Sequence, residues 1–129
     1  MRRLALLGAC AALALVVAVP ASGTRIVRIP SRVTIASSGL AMHGHVESAN
    51  QACVAGRKVK VKRVISGGKD QVMGTATTNG HGRWRLQLSG FAGISLAHFY
   101  ARVRRRAEGT AGTIYVCRPD RSREIMLGR

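Results

Sequence analysis

Two of the three cysteines, the four histidines and several short runs of lysine and arginine are the residues of this chain whose spacing bears on chemistry. Cys53 and Cys117 show neither C-x-x-C spacing nor a surrounding ligand cluster, so a redox or metal role is not indicated and a structural disulfide is expected. His43 and His45 lie two apart and would share one face of a strand, half of a metal site if His81 or His98 completed it. No carboxylate or cysteine ligand stands nearby in sequence, so two exposed histidines are the expectation. Ser37, Ser38, Ser66, Ser89 and Ser95 fall in turn-like stretches without a G-x-S-x-G elbow, and Gly67-Gly68-Lys69 lacks the P-loop spacing. Glu47, Asp70, Glu108, Asp120 and Glu124 are scattered, with no pair set for general acid and base work. Neither an enzyme nor a cofactor is expected.

The basic residues carry the remaining signal. Lys58, Lys60 and Lys62 alternate along one segment, Arg83 and Arg85 along a second, and Arg102, Arg104, Arg105 and Arg106 crowd a third. If two or three of these segments are neighbours in one sheet, their outward faces form a cationic plate. Such a plate attracts phosphate-rich polymers, anionic lipid or acidic polysaccharide of the cell envelope, by a force that falls as salt rises. The competing reading is that these cations keep outward strand faces soluble and discourage edge pairing, in a chain whose arginine, alanine and glycine content reflects a GC-rich genome. Tyr100 and Tyr115 are the only aromatics placed to interleave with the cations, so no specific nucleic-acid recognition is expected.

The segment 1–23 has to be set apart before the fold is considered. Met1-Arg2-Arg3 is a basic start, Leu4 to Val19 is a run of 16 small and apolar residues, and Pro20-Ala21-Ser22-Gly23 is a small-residue exit. The pattern is that of a secretory signal peptide, and the run falls short of the roughly 20 residues that span a bilayer. Cys10 lies too early in the run for lipoprotein cleavage, and the residues around Arg2-Arg3 do not match twin-arginine export. Removing residues 1–23 from 129 leaves 106, and 21 basic residues less Arg2 and Arg3 leave 19 against five acids, a formal charge of +14. That is one extracytoplasmic domain, residues 24–129, with room for one modest core.

The elements that position these residues read as short strands. From Arg57 onward apolar and basic residues alternate, turning Val59, Val61 and Ile65 inward and Lys58, Lys60 and Lys62 outward. Arg25 to Ile35 is a strand broken at Pro30, Ser37-Ser38-Gly39 a turn, and Leu40 to Glu47 a strand with Leu40, Met42 and Val46 on one face. Gln71 to Thr78 and Arg83 to Leu88 are strands about an Asn79-Gly80 hairpin turn, the second bringing Trp84, Leu86 and Leu88 inward. Gly90 to Ser95 is a loop. Leu96 to Arg106 is a strand with Phe99, Ala101 and Val103 inward and Tyr100, Arg102 and Arg104 outward; Ala107 to Gly112 is a loop, and Thr113 to Cys117 and Glu124 to Leu127 close the chain. Seven or eight strands with frequent turns predict an all-β, antiparallel sandwich around Val59, Val61, Trp84, Leu86, Phe99 and Val103.

The order Gly39-x-x-x-x-Gly44-x-Val46, Cys53-x-x-Gly56-Arg57-x-Val59-x-Val61, Thr77-Thr78-Asn79-Gly80-x-Gly82-x-Trp84, Phe99-Tyr100-Ala101-x-Val103 and Cys117 before Ser122 resembles secreted bacterial domains of the carboxypeptidase regulatory-like and transthyretin-like β-sandwiches. The resemblance spans most of residues 32–127 and implies a non-catalytic accessory module. One enzymatic branch of the transthyretin-like group hydrolyses 5-hydroxyisourate and is similar to this chain around Thr78-Asn79-Gly80-x-Gly82-Arg83. That branch ends in Tyr-Arg-Gly-Ser, where this chain ends Ile125-Met126-Leu127-Gly128-Arg129. Without that signature the resemblance does not carry the activity over.

Overall fold

The structure, a computed structural model, describes residues 23–88 and 96–127. The expected signal segment and the Gly90 to Ser95 loop therefore lie almost wholly outside the described residues. Twelve short strands follow in order: β1 (Arg25–Ile29), β2 (Ser31–Val33), β3 (Ala36–Ser38), β4 (Ala41–Ser48), β5 (Lys58–Arg63), β6 (Gln71–Thr77), β7 (Arg83–Gln87), β8 (His98–Val103), β9 (Arg106–Thr110), β10 (Thr113–Cys117), β11 (Asp120–Arg121) and β12 (Ile125–Met126). Among the described residues the only helical element in this order is a 3-10 turn at Gln51–Cys53. No helix among them is long and apolar enough to cross a membrane.

The strands assort into three sheets. One runs β11-β8-β5-β6 with β12 also on β8, a second joins β2, β3 and β7 to β4, and a third runs β1-β10-β9. The alternation in β5 does what its period requires: Val59 and Val61 are fully buried, and they meet Phe99, Ala101 and Val103 of β8, also fully buried. Across from them, Val33, Met42, Val46 and Trp84 from the second sheet belong to the same apolar cluster. Burying a valine or phenylalanine stabilises by about 1.5–3 kcal/mol, so this shared cluster is the main cohesion between the two sheets. Of the expected core residues only Leu86 is half-buried, packed against the cluster's edge.

Close approach of the backbone explains one glycine. A Cβ on Gly44 would run into the carbonyl of Thr34 and come within 3.0 Å of Trp84 Nε1, so β4 accepts no side chain there.

Several sequence expectations need correction. The expected Ser37-Ser38-Gly39 turn is displaced: Ala36–Ser38 pairs with β4, and the chain turns at Gly39-Leu40, with Gly39 at φ 59°. A glycine at the first central position suits a two-residue hairpin loop, and it leaves Leu40 on the tip, 49% exposed instead of inward. The expected loop Ala107 to Gly112 is mostly β9, which forms an antiparallel hairpin with β10 around Gly112 at φ 96°. The pairing is not uniformly antiparallel, because β1 lies parallel to β10 from Arg25↔Thr113 to Ile29↔Cys117.

The Asn79-Gly80 segment turns the chain but does not make a hairpin. β6 pairs with β5 and β7 pairs with β4, so the turn carries the chain from one sheet to the other. Neither Asn79 nor Gly80 takes positive φ; Gly82 does, at 76°. Asn79 acts through its side chain instead, its Oδ1 accepting from the His81 and Arg83 amides at 2.9 and 3.0 Å. An asparagine satisfying backbone donors two and four residues on is an Asx turn, which needs no strand pairing behind it.

The β5–β6 connection is held by a carboxylate. Asp70 accepts from the Ile65 amide at 3.1 Å and, through its other oxygen, from the Tyr100 hydroxyl at 2.7 Å. The hydrogen bond from Tyr100, and then that from Ile65, hold the Asp70 carboxyl below its ordinary range. A carboxyl with a lower pKa folded than unfolded contributes fully above its unfolded value of about 3.9, and that contribution is lost as pH falls through the folded value. Between pH 5 and pH 3, the urea midpoint of the parent chain should fall more steeply than that of Asp70→Asn; parallel curves would remove Asp70 as a pH-dependent tie.

Candidate cationic face

The β5–β8 register decides which of the basic residues meet. Lys60 stands directly opposite Arg102 and Lys62 opposite Tyr100, while on the far side of β8 Arg121 of β11 stands opposite Arg102. Arg121, Arg102 and Lys60 thus form a row across three strands, with neighbouring Cβ atoms about 4.5–5.5 Å apart. Arg104 and Arg105 follow β8 directly and close the lower end. A cleft of about 360 Å3 opens between them, lined by Lys60, Lys62, Arg102, Arg104, Arg105 and Pro119.

Among the described residues Arg121 of this row pairs with Glu124 at 2.9 Å, whereas Lys60, Lys62, Arg102, Arg104 and Arg105 form no salt bridge. The acids of the described residues have partners other than the five cations of the cleft: Glu108 pairs with Arg106, and Glu124 with Arg121 and His98. Asp70 accepts from Tyr100, and Asp120 accepts from the Val33 amide at 2.8 Å. Glu47 sits on β4, opposite Arg32 in the second sheet. Partial desolvation, followed by the charges of Arg104, Lys62, Arg102 and Lys58, holds the Lys60 ammonium below the ordinary lysine range. The causes beyond desolvation are all like charges, those of its neighbours on β5 and along and after β8.

Three of the nine basic residues singled out in sequence do not join this face. Arg83 and Arg85 lie on β7 in the other sheet, opposite His45 and His43. Arg106 begins β9 and turns away: its Nη2 donates to the Ala52 carbonyl, and its Nε lies 3.3 Å from Glu108. Lys58, Lys60, Lys62, Arg102, Arg104 and Arg105 are brought together. Tyr100, expected outward beside them, is on that face but only 4% exposed, with the Arg121 guanidinium 3.8 Å above its ring. It is therefore covered, and not a free platform for a base.

The histidines assemble no ligand set. His43 and His45 face arginines across β4–β7, His98 lies 3.7 Å from Glu124, and His81 sits in the Asn79 turn. Among the described residues no three His, Cys, Asp or Glu side chains converge as metal ligands. Thr78 is buried; its hydroxyl accepts from the Arg57 amide at 2.8 Å and donates to the Val54 carbonyl at 2.7 Å.

Two features had little or no local signal. Arg121 joins the face only because β11 folds back onto β8, a pairing that composition does not announce. Arg57, 1% exposed, is the more consequential one. Its Nη1 donates to the Cys53 carbonyl at 2.7 Å and to Ser31 Oγ at 2.9 Å, and its Nη2 to the Arg104 and Arg118 carbonyls at 2.8 and 3.3 Å. Burial, and then the charge of Arg106, lower its pKa.

Cys53 and Cys117 form the expected disulfide, with Cα atoms 5.4 Å apart. Ile29, Val27 and Tyr115 pack around it in a small apolar cluster separate from the main core. Since Val27 and Ile29 belong to β1 and Tyr115 to β10, the bridge fastens the three-stranded sheet to the 3-10 turn after β4. No protein-family model matches this chain, and no curated protein matches it either.

Proposed function

We propose that the chain is an extracytoplasmic accessory domain without catalysis of its own, a disulfide-closed β-sandwich of the carboxypeptidase regulatory-like or transthyretin-like kind. Its cationic face engages anionic polymers of the cell envelope. The signal-like segment and the disulfide support export, since such bridges persist in oxidising compartments. The face as a binding surface rests on one observation: five cations from β5 and the β8–β9 region line a cleft that no carboxylate lines, with Lys58 next to them along β5. Cations that served solubility alone would gain from interspersed acids, which lower their mutual repulsion.

Retention on immobilised heparin tests this reading. The protein should remain bound beyond about 0.3 M NaCl, where the Debye length has contracted to about 5–6 Å and scattered surface charge no longer holds. The pair Lys60→Gln/Arg102→Gln should elute at clearly lower salt than Arg83→Gln/Arg85→Gln, although both remove two charges. Elution of the parent chain below that salt, or equal elution of the two pairs, would leave the cations as a solvated surface.

A further inference from the structure

The cleft on the cationic face has a chemistry narrower than its charge. Its polar side chains are Lys60, Lys62, Arg102, Arg104 and Arg105. Each guanidinium offers five N–H donors and each ammonium three, and neither accepts a hydrogen bond. Pro119, the remaining lining residue, has no N–H and an apolar ring. Lys60, Lys62 and Arg102 lie in the paired β5–β8 strands, and the Arg104 carbonyl accepts from Arg57. A group seated there therefore finds donors almost exclusively, and must itself be an acceptor on every side that touches the protein.

That requirement separates the anions a cell envelope presents. A uronic acid unit brings one negative charge surrounded by hydroxyls, whose O–H donors meet no acceptor in this lining and would be desolvated without return. A phosphate group brings about −1.5 to −2 charges as a monoester and three acceptor oxygens, with no obligatory donor. The planar fork of arginine pairs with either oxyanion through two parallel bonds, so the preference comes from the charge and from the absence of donors on the phosphate. Lys60 and Arg102, opposite one another, flank one position for such a group. Along β5 the outward lysines repeat every two residues, about 6.8 Å, so further phosphates of a chain would meet Lys58 and Lys62 in turn.

We propose that this cleft is a binding site for compact phosphate groups, free, lipid-borne or strung in a phosphate polymer, in preference to carboxylate-bearing sugars. The proposal rests on the anion-binding reading of the same face and narrows it. Inorganic tripolyphosphate and an oligogalacturonate of equal charge serve as probes, titrated calorimetrically into the full domain in 0.15 M NaCl. Tripolyphosphate should bind at least about tenfold more tightly than the oligouronate. Lys60→Gln/Arg102→Gln should weaken tripolyphosphate at least about tenfold, and Arg83→Gln/Arg85→Gln less than about threefold.

Equal affinity for the two probes, with the Lys60/Arg102 pair still decisive, would overturn the phosphate assignment and leave the anion-binding face standing. Binding of neither probe would overturn both. Equal loss in the two glutamine pairs would remove the cleft as the site. Phosphatidylcholine vesicles with and without 20% phosphatidate then separate the sources: capture only with phosphatidate assigns a lipid phosphate, and tripolyphosphate binding without vesicle capture assigns a soluble or polymeric one.

Discussion

The double variant Cys53→Ser/Cys117→Ser should unfold about 4 kcal/mol more easily than the parent chain. The bridge joins positions 64 apart in sequence, and closing a loop of that length removes much of the freedom of the unfolded chain. For a domain whose net stability is of the order of 5–15 kcal/mol, such a loss is a large share. In the folded state the bridge also closes the cluster of Val27, Ile29 and Tyr115. The parent chain treated with reductant should move the same way, and guanidinium unfolding under oxidising and reducing conditions reads both. A difference under about 1 kcal/mol would mean that the three-stranded sheet is held to the body without the bridge.

Arg57→Met should cost about 3–5 kcal/mol through the acceptors it leaves unpaired, and Arg57→Lys an intermediate amount. The guanidinium is a buried charge with no carboxylate on it, held by three carbonyls and one hydroxyl from four separate parts of the chain. Removing it leaves those acceptors unsatisfied where water has little access, and hydrogen bonds to a charged donor are worth about 1.5–3 kcal/mol each. A lysine has one compact head and reaches fewer of the four. Because arginine stays protonated at every accessible pH, the Arg57→Met loss should be flat from pH 5 to pH 9. Two of the acceptors, the Cys53 and Arg118 carbonyls, adjoin the disulfide, so the Arg57 and cysteine losses should not add in a double-mutant cycle. Full additivity would show that the two ties act on separate units.

The history of Arg57 shows where sequence reading succeeds and where it stops. Strict alternation gave Val59 and Val61 to the core and Lys58, Lys60 and Lys62 to the outside, because β5 is buried on one face only. Arg57 has the same parity as Val59 and Val61 and follows the same rule inward. A buried guanidinium is tolerable only with acceptors, and here they come from residues 31, 53, 104 and 118. Those partners are tertiary and invisible in a local window.

The same limit explains β9 and the Asn79 turn. Ala107, Glu108 and Gly109 are exposed, so no apolar alternation marks them, and the backbone ladder to β10 alone makes them a strand. Asn-Gly announces a reversal of direction but not which strands pair beyond it. For the cationic face, sequence supplied the cations and the conditional that their strands be neighbours. Only the register, with Lys60 opposite Arg102 and Arg83 and Arg85 in another sheet, divides them into a group of six and three that stand apart.

The most direct measurement is an amide chemical-shift map of the labelled protein titrated with inorganic tripolyphosphate at 0.15 M NaCl. The account predicts changes confined to residues 58–63 of β5, 100–105 and 119–121, saturating together with one affinity. Changes of equal size on β4 and β7 around His43, His45, Arg83 and Arg85, or a drift over the whole surface that never saturates, would contradict it.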